Sequence, residues 1–144
     1  MMLEMQLQLL GKVVFALLLG GAIGLERESA DKPAGLRTHM LVAASATMLT
    51  GLGNFVVSEL GVRSDIIRTD PIRIIEAVIT GITFLGAGTI IRYRGEGEIE
   101  GLTTAASLLL VGALGIGIAL NQFVLCVGVT IVMLVTLLVI KKFE

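Results

Sequence analysis

The sequence predicts an all-α membrane protein, a bundle of about five transmembrane helices running N-out to C-in, and three observations predict it. Hydrophobic residues make up 55% of the 144 positions and charged ones 16%, at a mean hydropathy of +0.94, outside the usual range of a soluble domain of this length. Five apolar stretches recur, each as long as a helix needs to cross a hydrocarbon layer of ~30 Å. Lys and Arg are shared unequally between the two sides those stretches define. A single transmembrane domain over residues 1–144 follows, with short loops and no room for a soluble domain.

The spans are expected at residues 7–25, 39–58, 72–91, 102–120 and 123–140. Glu4 and a single Lys12 stand where a secretory signal would carry a basic region, and Glu26-Arg27-Glu28 stands where a cleavage site would lie, so the first span reads as a retained helix. The third has the clearest start, because Asp70 can cap free amides and Pro71 at the first helical position loses no needed donor. A tight turn at Asn121-Gln122 divides the last two. With the N-terminus outside, seven basic residues fall inside (Arg27, Lys32, Arg37, Arg92, Arg94, Lys141, Lys142) and four outside (Lys12, Arg63, Arg68, Arg73). Shifted by 66 residues, the chain aligns Leu19-Gly20 with Leu85-Gly86, Gly35-Leu36 with Gly101-Leu102, Thr38 with Thr104 and Gly51 with Gly117. This faint pattern suggests that helices one-two and three-four are parallel repeats about an axis along the membrane normal.

Two polar clusters carry the chemistry. The first brackets the loop between helices one and two, where Glu26, Arg27 and Glu28 face Arg37, Thr38 and His39. Gly20 and Gly24 form a small-xxx-small pair that admits a second backbone, which would bring Glu26 against protein. Arg37 is a candidate partner for Glu26 or Glu28, and Thr38 a candidate cap for helix two. An interfacial ion pair that fixes helix ends is the plainer role for any one of these residues. His39 is the single histidine, so a histidine metal site is excluded, and an interfacial group with its hydrogen bonds satisfied is its plainer role beside that of a pH sensor.

The second cluster is Asp70, Arg73 and Glu76, continued down one face of helix three by Thr80 and Thr83. Glu76 lies about five residues inside Pro71, some ~7 Å along the axis, where an unpaired carboxylate is costly. An ion or proton site and a locally paired, snorkelling Glu are the two readings. On helix two, His39, Ala43, Ala46, Thr50 and Asn54 recur at three- and four-residue steps, a face expected to pack on helix three or line a narrow cavity. Gly81, Gly86 and Gly88 are expected to serve helix packing. The alternating Glu96, Glu98 and Glu100, with Arg92 and Arg94 beside them, read as a solvated loop rather than a Mg²⁺ site.

A net charge of −1 leaves no basic excess for a nucleic-acid partner, and the lone Cys126 excludes an intramolecular disulfide or thiolate cluster. With no phosphate loop, nucleophile elbow or histidine metal motif, neither catalysis nor a cofactor is expected.

Three blocks resemble the MgtC/SapB family of bacterial inner-membrane proteins. They are Gly21-Ala22-Ile23-Gly24-Leu25-Glu26-Arg27-Glu28 with Ala34-Gly35-Leu36-Arg37-Thr38-His39; Asp70-Pro71-Ile72-Arg73; and Gly81-Ile82-Thr83-Phe84-Leu85-Gly86-Ala87-Gly88 leading to Gly101-Leu102-Thr103-Thr104-Ala105-Ala106. The resemblance implies a multi-pass protein of the cytoplasmic membrane tied to growth at low Mg²⁺, acid stress and survival inside host cells. Ending at Glu144, the chain resembles a short SapB-type member without the cytoplasmic C-terminal domain of longer ones. Glu76 stands where the family pattern carries a neutral Gln, so no role is transferred to it. Two functions are expected. The first is a non-enzymatic adaptor or regulator that contacts other membrane proteins; the second is a Mg²⁺, cation or proton transporter using the polar face of helix three. The small-residue faces also invite homo-oligomers in the bilayer.

Overall fold

A computed structural model describes residues 2–61, 71–90 and 100–140. Among them the chain forms five helices and no strand: α1 (Met2–Ser29), α2 (Leu36–Gly61), α3 (Pro71–Ile90), α4 (Leu102–Ala119) and α5 (Phe123–Ile140). Four, α1 to α4, are long and apolar enough to cross a membrane; α5, apolar over Phe123–Val139, is shorter by the same measure. All five expected helices are present. The first two are longer than their apolar cores, because Glu26, Arg27 and Glu28 are strong helix formers that continue α1 past the last apolar residue.

The turn between α1 and α2 closes locally. The amides of Ala30, Asp31 and Lys32 donate to the carbonyls of Glu26, Glu28 and Arg27, satisfying the acceptors at the end of α1, while Asp31 takes the left-handed conformation at φ 53°. The α4–α5 turn uses the same device, with Asn121 at φ 64° and the Gln122 amide donating to Gly117 O. At this end Lys12 of α1 donates through Nζ to Ala119 O at 3.0 Å, placing a cation on the C-terminus of α4.

Antiparallel hairpins α1–α2 and α3–α4 form the frame, with α5 folded back on α4 and α1. Glycine sets the closeness of each crossing. A Cβ on Gly20 would lie 2.7 Å from His39 O and 2.9 Å from Ala43 Cβ, and one on Gly24 would lie 2.7 Å from Leu36 Cα. The α3–α4 crossing is looser at Gly86, where a Cβ would lie 3.4 Å from Ala105 Cβ, an ordinary contact; α2 and α4 start 66 residues apart, at Leu36 and Leu102.

Helix α4 is the axis of the bundle, with Leu108, Val111, Leu114 and Ile118 buried, and it lies parallel to α2. His39 bonds Ser107 and Thr47 bonds Gly115, so contacts advance together along both helices. The small face of α2 therefore packs on α1 and α4, not on α3 as expected: Ala43 and Ala46 fill the gap at Gly115, where a Cβ would strike Ala43 O. His39, Thr47 and Thr50 are buried on that face, and Asn54 is half-buried at its end.

The Thr47 hydroxyl is shared between Ala43 O and Gly115 O, both at 2.9 Å, and is the polar tie between α2 and α4 at mid-bundle. Thr47→Val keeps the shape and removes the tie. It is expected to cost about 1 kcal/mol in a reversible unfolding titration in detergent, the usual worth of an interhelical hydrogen bond in a membrane bundle.

Candidate functional site

Half of the first cluster is buried at the end of the bundle where α1 stops and α2 and α4 begin. Glu26, Arg27 and His39 are 9%, 4% and 0% exposed, which for two full charges inside a small bundle requires pairing. Arg27 Nε donates to Glu26 Oε2, while Oε1 of the same carboxylate is buried with no hydrogen-bond partner among the described residues. The glycine crossing explains the burial: with Gly20 and Gly24 seated on α2, the next turn of α1 is carried against protein.

His39 joins the start of α2 to α4. Its Nδ1 faces Gly35 O at 2.9 Å and its Nε2 faces Ser107 Oγ at 2.9 Å, and that hydroxyl donates to Thr104 O at 2.8 Å. A carbonyl only accepts, so Nδ1 carries a proton. Two arrangements then satisfy the ring. In the neutral one Ser107 turns its proton onto Nε2 and leaves Thr104; in the charged one Nε2–H donates to Ser107, which keeps its bond to Thr104. Either way the imidazole ties α2 to α4.

Other members of the motif are at the surface. Glu28 Oε2 accepts the Leu36 amide at 2.8 Å, so this carboxylate caps α2 across the loop, and a Cβ on Gly35 would strike it at 2.7 Å. Thr38 is therefore not the cap: α2 starts at Leu36, and Thr38 lies exposed inside its first turn. Arg37, also at the surface, forms no ion pair among the described residues, because Glu26 is already held by Arg27.

The second cluster does not converge. Arg73, Glu76, Thr80 and Thr83 lie on the exposed face of α3, opposite Val78, Ile82 and Gly86, which pack inward. Thr80 and Thr83 donate to the carbonyls of Glu76 and Ile79 in their own helix. Asp70 lies outside the described residues. Gly81 and Gly88, expected in packing, have open space where a Cβ would be, and of the three glycines only Gly86 meets a neighbouring helix. Among the described residues no three His, Cys, Asp or Glu side chains gather as a metal site would need.

Sequence reasoning missed Ser107 and Thr47, the hydroxyls that join α2 to α4. Nothing in their spacing marks them, since α4 presents apolar residues all round and its partners are distant in sequence.

A multi-pass helical bundle with a guanidinium–carboxylate pair and a histidine locked into the crossing of three helices defines the class of membrane protein with an internal polar cluster. The chain belongs to the MgtC family, which it matches over residues 13–144, a bacterial inner-membrane family. It is 43% identical over 108 residues to an uncharacterized protein of Haemophilus influenzae, covering 75% of this chain and 44% of that one. It is 34% identical over 133 residues to the "Putative magnesium transporter YhiD" of Escherichia coli K12, covering 92% and 59%. Protein MgtC of Salmonella typhimurium is 38% identical over 128 residues, covering 88% and 50%. The chain thus spans about half the length of these curated relatives, 44% to 59% of each. No solved structure matches it.

Proposed function

We propose that the chain is a non-enzymatic membrane regulator linked to Mg²⁺ homeostasis, acting through helix contacts with another membrane protein. The observation that carries this reading is the direction of α3: Arg73, Glu76, Thr80 and Thr83 face away from the bundle, so one chain offers no internal polar path along that helix. The buried hydroxyls of Thr47, Ser107 and Thr130 donate to backbone carbonyls, Thr47 across to α4 and the other two within their own helices, so these three groups are spent on the bundle's own backbone. The Mg²⁺ link comes from the name borne by the Escherichia coli relative. With the N-terminus outside, the Glu26–His39 cluster faces the cytoplasm and the polar end of α3 faces outward.

A transport reading has one observation in its favour, the buried Glu26 Oε1 without a partner among the described residues, an atom with free capacity for a proton or a cation. One experiment separates the two. Pure protein in sealed vesicles, with Mg²⁺- and pH-sensitive dyes inside, is expected to give no flux above empty vesicles, while photo-cross-linking from α1 and α3 in native membranes traps a distinct protein. Flux that Glu26→Gln or Glu76→Gln abolishes would replace the regulator with a transporter.

A further inference from the structure

The outward face of α3 presents charge at a depth where a lipid-facing helix does not carry it cheaply. Glu76 stands about five residues inside the helix, ~7 Å from Pro71 along the axis, and Arg73 one turn nearer the end. Both are exposed, and neither side chain makes an ion pair or hydrogen bond among the described residues. Below them the exposed positions Arg73, Ala77, Thr80, Phe84 and Ala87 follow steps of four and three, the spacing of a seam between two helices. Three of these are small enough to let a backbone approach, and Phe84, 81% exposed, is the knob between them.

The rest of the bundle offers a comparison. Phe15 of α1 meets Phe123 of α5 edge-on at 5.6 Å, so that side of α1 is covered. The residue 66 positions on, standing for Phe15 if the two hairpins are copies, is Gly81 of α3, where an added Cβ would meet nothing within 4 Å.

We propose that a second copy of this chain docks on this face, α3 against α3, with Arg73 of each copy paired to Glu76 of the other. The occupant follows from charge. Two copies inserted with the same orientation meet about a twofold axis along the membrane normal, so each residue faces its own depth on the partner. Arg73 and Glu76 differ in height by about 4.5 Å, which an arginine side chain spans, and the two pairs are formed reciprocally. A surface carrying both halves of its own ion pair is complementary to itself.

This inference deepens the reading of α3 as a contact face, and its test keeps the two apart. In a Cys126→Ser background, Thr80→Cys and Phe84→Cys are oxidised in native membranes beside Leu18→Cys, a control at an exposed position on α1. A disulfide-linked species at twice the 15.2 kDa chain mass is expected from both α3 positions, at least about fivefold above the control. Arg73→Glu in the Thr80→Cys chain is expected to lower that yield about fivefold, and Glu76→Arg added to it to restore the yield within about twofold. Self-adducts no stronger than the control overturn the proposal, as does a charge reversal that changes nothing. Adducts only with a different protein also overturn it, while leaving α3 as the contact face of a regulator.

Discussion

Arg27→Met is expected to unfold the bundle far more readily than any surface change, by about 3 kcal/mol or more, because it strands Glu26 inside the protein. Arg27 supplies the hydrogen bond that Glu26 receives among the described residues, and the carboxylate is 9% exposed with one oxygen already unpartnered there. Removing the guanidinium leaves a buried charge whose solvation nothing replaces, while Met fills much of the same volume. The double variant Glu26→Gln/Arg27→Met removes the charge as well, and is expected to recover most of the loss. Four unfolding curves in one detergent, for the parent, both single variants and the double, measure the coupling. If the double variant is as unstable as Arg27→Met, the loss lies in packing and not in the stranded carboxylate.

Gly24→Leu is expected to prevent α1 and α2 from closing. Even the first carbon of a side chain there would lie 2.7 Å from Leu36 Cα, 3.0 Å from Gly35 O and 3.0 Å from His39 Cβ, and the nearest two of these are backbone atoms that cannot swing aside. The helices must separate, and separation draws His39 away from Ser107 and Glu26 out of its pocket. Gly24→Ala alone is expected to cost about 3 kcal/mol, at the upper end for overpacking, and the Leu variant to leave little folded protein in a size-exclusion profile. Gly128→Ala in α5 is the control, since nothing lies within 4 Å of its added carbon. There alanine is expected to be neutral or slightly stabilising, as it favours the helix by up to about 1 kcal/mol.

Much of this arrangement is legible in the order of residues alone. The five helices follow from apolar length, and their limits from Pro71 and the turn-forming Asn121. The burial of Glu26 follows from its place half a turn beyond two glycines that demand a close crossing. What the pattern does not carry is which helix meets which. The small face of α2 has the same appearance whether it meets α3 or α4, and only the bundle selects α4. The polar stripe of α3 is equally silent about direction: a membrane chain is expected to turn polar groups inward, yet Val78 and Ile82 take the inward side and leave Arg73 and Glu76 out. The capping of α2 by Glu28 needed the path of the loop, because the carboxylate reaches eight residues ahead to the Leu36 amide.

The His39–Ser107 and Thr47–Gly115 hydrogen bonds join residues 68 apart in the chain, with the whole of α3 threaded between them. A chain emerging from the ribosome therefore places α1 and α2 in the bilayer as a finished hairpin while His39 still lacks Ser107. Its imidazole stays half-satisfied until α4 has been synthesised, inserted and slid alongside. Truncation anywhere before residue 107 would leave a polar ring in the membrane without the hydroxyl that completes it.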